Sequence, residues 1–251
     1  MLRVCADPNN LPFSNRAAQG FENRLAELVA RELGATVDYV WWAQRRGNVR
    51  ETLNAGLCDL IPGVGAGLEM LATTRPYYNS TYVAVTRADR NLDLASFDDP
   101  RLRDLRIGVQ MIGDDFSNTP PAHALARRGI VSNVRGYMVY GDYARPAPQA
   151  NIVAAVASGE LDVAYVWGPI AGYFARRQGV PLRLAPVPAE DRASGFPMAF
   201  AVAMGVRRAD RELKGQVEEA LDRRRGDVRR ILAAYGVPTV TEAPELPADD
   251  D

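Results

Sequence analysis

The chain has 251 residues, 47% of them hydrophobic and 24% charged, which suits an ordinary globular protein of one large or two small domains. Its 30 Lys+Arg and 31 Asp+Glu give a formal net charge of -1, so no cationic excess draws it to nucleic acid or anionic lipid. The longest apolar runs, Val37 to Ala43 and Ala199 to Val206, fall far short of the roughly 20 residues that cross a bilayer, so no membrane span is expected.

In chain order, Leu2 to Ala6 reads as a strand broken by the polar turn Asp7-Pro-Asn-Asn10. Phe21, Leu25, Leu28, Val29 and Leu33 recur at helical spacing and Gly34 supplies the stop. The β-branched and aromatic run Thr36 to Trp42 is a strand, Asn48 to Ala55 a short helix ended by Gly56, and Asp59 to Val64 a buried strand. This β-α-β-α-β order implies parallel pairing with right-handed crossovers.

The pattern then restarts. Leu105 to Met111, Val134 to Tyr140 and Asp162 to Trp167 read as strands separated by helices over Pro120 to Arg128 and Ala150 to Ser158. Gly168 to Gln178 is helical, Leu182 to Val187 and Met198 to Val206 are strands, and helices over Asp210 to Arg223 and Asp227 to Tyr235 follow. The Pro, Glu and Asp-rich tail from Thr241 to Asp251 has the composition of a disordered segment.

Between the two α/β units, Tyr77 to Arg90 is a long β-rich stretch with no helix after it, as a hinge strand would be, and Ala199 to Val206 is its natural return. The expected organisation is therefore two lobes about a central cleft. Lobe 1 is 1–86, lobe 2 is 87–197, and 198–251 returns to lobe 1 with the terminal helices and the acidic tail.

Met1 leads straight into strand-like residues, with no charged n-region or apolar h-region. An exported form would already have shed its leader. Cys5 and Cys58 fit one disulfide in an oxidising compartment or two buried thiols in a reducing one. Their strands should be neighbours, but Cys5 is near the end of one and Cys58 at the start of the other, and a bridge needs Cα atoms within about 7 Å. Both states stay open.

The order of elements, with local motifs, resembles the family 3 periplasmic solute-binding proteins. Leu2-Arg-Val-Cys-Ala-Asp-Pro-Asn-Asn-Leu-Pro-Phe-Ser14 looks like that family's first strand and ligand loop, and Gly20-Phe-Glu-Asn-Arg-Leu-Ala26 like its first helix. Gly56-Leu-Cys-Asp59, Arg75-Pro-Tyr-Tyr78 and Leu105-Arg-Ile-Gly-Val-Gln110 match later motifs in the right order. The resemblance implies the α/β type II periplasmic binding protein fold, with a β-strand hinge.

A narrower resemblance rests on Cys5-Ala-Asp-Pro-Asn9, Trp41-Trp42 with Gln44-Arg-Arg-Gly47, Cys58-Asp59, and Thr73-Thr-Arg-Pro-Tyr-Tyr-Asn-Ser-Thr-Tyr-Val83. These are similar to the J-type accessory proteins (XoxJ/MxaJ type) encoded beside quinoprotein methanol dehydrogenases, XoxJ accompanying the lanthanide-dependent form. That implies a periplasmic protein whose partner is the dehydrogenase. The alternative is the substrate-binding component of an ABC transporter for a small organic solute.

The sequence departs from the amino-acid-binding members at two places. Gly65 to Thr74 holds no Arg to grip a carboxylate bidentately, and Leu161-Asp-Val-Ala-Tyr-Val-Trp167 ends in Trp where those members place an Asp for the ammonium. A free amino acid is a poor fit.

Asp7, Asn9, Phe13 and Asn15 follow the first strand at its carboxyl end, where open α/β sheets bind ligands, although a plain turn uses the same residue types. Trp42, Tyr77, Tyr78, Tyr82 and Trp167 could line an aromatic cleft or could be core and hinge packing; Trp41 and Trp42 alternate, so at most one faces the cleft. Arg45 and Gln110 complete the candidate ligand- or partner-binding set. The start of the 120–128 helix, with Ser117, Asn118 or Thr119 as cap, could hold an anion, but Asp114 and Asp115 would oppose one.

Catalytic and metal signatures are lacking. There is no Gly-x-Ser-x-Gly, His-Glu-x-x-His or P-loop, and His123, the single histidine, has no evident nucleophile beside it. The two cysteines have no CxxC spacing, and the acidic pairs lack the alternating oxygen ligands of a calcium loop. A cleft Glu acting as an acid, as in the lytic transglycosylases and dehydratases of this superfamily, is the remaining enzymatic reading. The expectation is a binding protein with no catalytic residue, cofactor or metal.

Overall fold

The computed structural model describes residues 1–112, 118–139, 144–241 and 243. Its main elements are β1 (Leu2–Ala6), α1 (Phe21–Glu32), β2 (Val37–Trp41), α2 (Asn48–Glu51), β3 (Ile61–Gly65), β4 (Tyr78–Arg87), β5 (Ile107–Met111), α3 (Pro120–Arg127), β6 (Val134–Met138), α4 (Asn151–Ala157), β7 (Val163–Trp167), α5 (Gly168–Ala175), β8 (Leu182–Pro186), β9 (Ala199–Val206), α6 (Arg211–Arg223) and α7 (Arg225–Ala234).

The chain divides into two compact units: Met1–Asn79 with Ala201–Tyr235, and Ser80–Phe200 with the residues from Gly236 on. It passes between them inside β4, inside β9, and after α7. Sequence patterning set the first two passages at 86/87 and 197/198 and kept everything after 198 with the first lobe. The structure instead groups the segment from Gly236 with the second unit, for a packing reason. A Cβ on Gly172 of α5 would lie 1.9 Å from the Gly236 oxygen and one on Gly168 2.8 Å from Pro238, so bare glycine backbone lets the segment dock on α5. The Ser80 hydroxyl then donates to the Pro238 oxygen at 2.6 Å. The expected disordered tail lies, except for 241 and 243, outside the described residues, as does 113–117.

In the first unit β1 and β2 pair in parallel, Leu2 opposite Val37 and Ala6 opposite Trp41. Val4 bridges Leu60 in parallel and β3 runs antiparallel to β9, Val202 opposite Gly65, with a register shift between Ala203 and Gly205. Helix α1 buries Phe21, Leu25, Leu28 and Val29, the stripe that its periodicity predicts. Gly20 must be glycine there, because a Cβ would sit 1.8 Å from the Phe13 oxygen. The Asn23 side chain accepts the Gly20 N–H at 3.0 Å and so holds the first turn.

Bends at Leu57 and Asp59 carry Cys58 to within 5.5 Å of Cys5, Cα to Cα, and the two sulfurs are bonded. The bridge lies in a core with Val49, Leu53, Ile61 and Leu71. The turn after β1 is a small hairpin, Asn9–Asn10 against Ser14–Asn15, with a cis Leu11–Pro12 bond. Helix α2 stops at Glu51, short of the expected Ala55: at Thr52 the backbone leaves helical geometry and the hydroxyl turns back to the Asn48 oxygen at 2.6 Å.

The second unit's strands run in the order β8, β4, β7, β5, β6, with β7, β5 and β6 mutually parallel and β4 antiparallel to both of its neighbours. Its core gathers Leu94, Phe97, Leu102, Ile107, Leu125, Val163, Tyr165 and Met198.

Candidate functional site

Each unit has a distinctive group of side chains at the carboxyl ends of its parallel strands, where a strand's last residues face the loops. In the first unit Asp7 follows β1 and is 2% exposed. Its Oδ1 accepts the Asn9 N–H at 2.8 Å and its Oδ2 the Gln44 N–H at 2.7 Å, so one carboxylate ties the loop after β1 to the loop after β2. Ser14 adds a reciprocal pair, accepting from the Asp7 N–H and donating to the Asp7 oxygen.

Asn15 binds Gln19 through both its side-chain oxygen and nitrogen and shapes the approach to α1. Half-buried Phe13 tilts onto Phe21 with ring centroids 5.4 Å apart. Tyr78 is buried edge-on against Phe21 and Tyr77 lies beside Tyr78, its hydroxyl donating to the Pro62 oxygen at 2.8 Å. Burial drives both phenols well above their usual range, Tyr78 and Glu22 adding to the rise at Tyr77 and Glu22 to that at Tyr78. Trp42, 45% exposed, and exposed Arg45 stand on the surface past the end of β2. Trp41 instead stacks on Tyr39 at 4.8 Å.

Sequence reasoning missed Glu22. It is 5% exposed, and burial first, then the charge of Asp7, pushes its carboxyl up to about 8. Its backbone N–H donates to the Phe13 oxygen at 3.0 Å, which fixes the start of α1 against the loop. A Glu in the first turn of a helix ordinarily faces water and complements the dipole. Only its neighbour Phe21 in the buried stripe hinted otherwise.

In the second unit, Tyr82, Trp167 and Phe200 form a triangle of edge-to-face rings, with centroids 5.3, 5.8 and 6.4 Å apart. Gln110, 2% exposed, accepts the Trp167 N–H on Oε1 at 2.7 Å and locks the ends of β5 and β7 together. Its Nε2 is buried without a hydrogen-bond partner among the described residues, as is the Asn118 Oδ1. Thr119 caps α3 and donates its hydroxyl to the Gln110 oxygen at 2.6 Å. Phe200 was not among the expected site residues; it sits in a continuous apolar run in which no face is marked.

Thus Asp7, Asn9, Phe13, Asn15, Tyr77 and Tyr78 come together in the first unit, and Tyr82, Gln110 and Trp167 in the second. Among the described residues no three His, Cys, Asp or Glu side chains gather to hold a metal ion, and no helix is long and apolar enough to cross a membrane.

The family of bacterial extracellular solute-binding proteins, family 3, matches residues 2–237. The chain belongs to that family. Among its members, Protein MoxJ of Methylorubrum extorquens is 34% identical over 246 residues, which cover 95% of this chain and 81% of the relative. The crystal structure of the periplasmic binding protein XoxJ from Methylobacterium extorquens AM1 shares 37% identity and a TM-score of 0.78, over 96% of this chain and 100% of that one. MxaJ from Methlophaga aminisulfidivorans MPT shares 26% identity and a TM-score of 0.79, over the same proportions. This family member is of the XoxJ/MxaJ type, and its fold is the type II periplasmic binding protein fold.

Proposed function

We propose that this chain is an exported periplasmic accessory protein of a quinoprotein methanol dehydrogenase system, that it recognises the dehydrogenase, and that it catalyses no reaction. The likeness to MoxJ, XoxJ and MxaJ along nearly the whole chain carries this reading. The identity to XoxJ exceeds that to MxaJ, 37% against 26%, and favours the lanthanide-dependent, PQQ-containing form of the enzyme as the partner.

The strand ends agree with a role other than amino-acid capture. β7 closes on Trp167 held by neutral Gln110, and the 65–74 segment supplies no arginine. Exposed Trp42 and Arg45 are the residue types that anchor protein surfaces, a planar aromatic and a guanidinium.

Pull-down from a periplasmic extract with the tagged protein tests the reading, and the dehydrogenase is the expected co-purifying partner. A second reading, uptake of a small organic solute, is favoured by Gln110 Nε2 and Asn118 Oδ1, which have no hydrogen-bond partner among the described residues and could meet polar groups of a neutral ligand. A thermal-shift screen separates the two. A tight solute at a hundredfold excess over Kd adds about 2.7 kcal/mol of stability, and such a shift with no co-purifying dehydrogenase would replace the first reading by the second.

A further inference from the structure

A strand at the edge of a sheet leaves half of its backbone groups facing outward. In the first unit β2 is such a strand. Its ladder to β1 runs without a register shift from Leu2 opposite Val37 to Ala6 opposite Trp41. The Leu2 N–H donates to the Thr36 oxygen at 2.8 Å and the Trp42 N–H to the Ala6 oxygen at 2.9 Å. In a parallel ladder these end bonds fix the phase. Residues 36, 38, 40 and 42 turn their backbone groups to β1, and Val37, Tyr39 and Trp41 turn theirs away. None of these three outward N–H and three outward C=O groups has a hydrogen-bond partner among the described residues.

Exposed edges are ordinarily blunted by proline, lysine, bulges or charges, because they otherwise pair with extended chains. The second unit treats its edges so: β8 carries Arg183 and ends on Pro186, and β6 carries exposed Arg135 beside Gly136. β2 has no proline, lysine or bulge, and its sequence Val-Asp-Tyr-Val-Trp is rich in the residues that favour strand pairing. Its one charge, Asp38, stands opposite Arg3 in the register, on the face away from Tyr39 and Trp41. On the other face the Tyr39 and Trp41 rings stack at 4.8 Å, and the Tyr39 hydroxyl anchors them to α1 by donating to the Asn23 oxygen at 3.2 Å. Past the carboxyl end of β2, residues 42–51 hold three exposed arginines, Arg45, Arg46 and Arg50, against one acid, Glu51.

We propose that the outer edge of β2 is a strand-addition surface for an extended segment of a partner protein, apolar or aromatic at its centre and acidic at the end that meets 42–51. This rests on the reading of the chain as one that recognises a partner protein. The added strand supplies acceptors for the Val37, Tyr39 and Trp41 N–H groups and donors for their carbonyls. Its side chains pack on the Tyr39–Trp41 stack, and its carboxylates meet the arginine loop. A second copy fits less well. Two β2 edges paired antiparallel about Tyr39 would set 33–36, Leu-Gly-Ala-Thr, opposite 42–45 and offer the arginines no carboxylate.

Backbone amide exchange, followed residue by residue by NMR on the isotopically labelled chain, tests this. In the protein alone the Val37, Tyr39 and Trp41 amides should exchange fast and those of Asp38, Val40 and Trp42 slowly. The probe is the peptide acetyl-Asp-Glu-Thr-Val-Tyr-Val-Thr-Glu-Asp-amide, acidic at both ends to suit either strand direction. At saturation it should slow the three outward amides about tenfold or more and leave the inward three unchanged, an alternation that docking through side chains alone does not produce. The same peptide with lysines in place of its acids should bind about tenfold more weakly at low salt. Val37→Pro removes one outward donor at the first residue of the strand, where proline is tolerated and no ladder bond is lost. Its melting temperature should hold while peptide binding weakens about tenfold, the worth of one hydrogen bond left unmade. The proposal is overturned if the outward amides stay unprotected, if the lysine peptide or the variant binds equally well, or if those amides slow in the protein alone as its concentration rises, which assigns the edge to a second copy. The exchange measurement needs no variant. Protection by the peptide upholds the surface even where the pull-down yields no dehydrogenase, so the two readings fail separately.

Discussion

The two units are built on the same clamp and differ at the opposite ends of their strands. Arg3 and Asp59 stand 56 residues apart, as do Arg106 and Asp162. In each pair the arginine's N–H and Nε bind Oδ2, its Nη2 binds Oδ1, and its carbonyl accepts the aspartate's own N–H, at 2.8 and 2.9 Å. Both clamps pin the amino ends of parallel neighbours. Toward the carboxyl ends the likeness stops: the first unit presents Asp7 and Glu22, the second Gln110 and an aromatic triangle. The two units share the geometry that sets register and differ in the side chains at their carboxyl edges.

The largest difference to break is the disulfide, which braces the first unit. Its 53-residue separation corresponds to about 4 kcal/mol of loop-closure entropy, so reductant, or the pair Cys5→Ala and Cys58→Ala, should lower the urea midpoint markedly. Unchanged midpoints, or two titratable thiols in unreduced denatured protein, would remove the bridge from the comparison.

Next comes Glu22. Its folded carboxyl titrates at about 8 against an ordinary 4.5, so the folded chain holds a proton that the unfolded chain has released. Stability is therefore complete below about pH 4.5 and falls as pH rises through about 8, by an amount on the order of 2–4 kcal/mol. Glu22→Gln should flatten this slope in denaturant titrations between pH 5 and 9, and a variant with the wild-type slope would show that another group titrates.

The smallest test sharpens the shared feature. Asp59→Asn and Asp162→Asn should each cost about 1.5–3 kcal/mol in lost charge-assisted hydrogen bonds, Asp162 at the upper end because its side chain is 8% exposed against 18% for Asp59. Hydrogen bonds from Arg3 hold the Asp59 carboxyl down to about 2, and those from Arg106 hold Asp162 well below the usual carboxylate range. Their contribution is present above about pH 4 and is lost as pH falls through these values, a window apart from that of Glu22. Equal losses in both units would support one device used twice; a loss confined to one would deny it.

The alternation of helical stripe and β-branched run, with Gly34 and Gly56 as stops, was enough to read two successive α/β units, since burying one face requires that periodicity. It could not show the hairpin at 9–15, whose pairing depends on backbone bonds between Asn9 and Asn15 and not on apolar pattern. Nor could it show that Gly236 onward docks on α5, because the glycines at 168 and 172 permit that approach without announcing it.

Residue order thus determined the family, the order of elements and which loops follow the parallel strands, because these depend on local preference and on motifs contiguous in the chain. Tertiary structure decided the rest. It bonded Cys5 to Cys58, repeated one arginine clamp in each unit, satisfied Asp7 with backbone N–H groups and buried the Glu22 carboxyl without a hydrogen-bond partner among the described residues. Those outcomes depend on which groups distant in sequence share a small volume from which water is excluded, and only the folded chain specifies that volume.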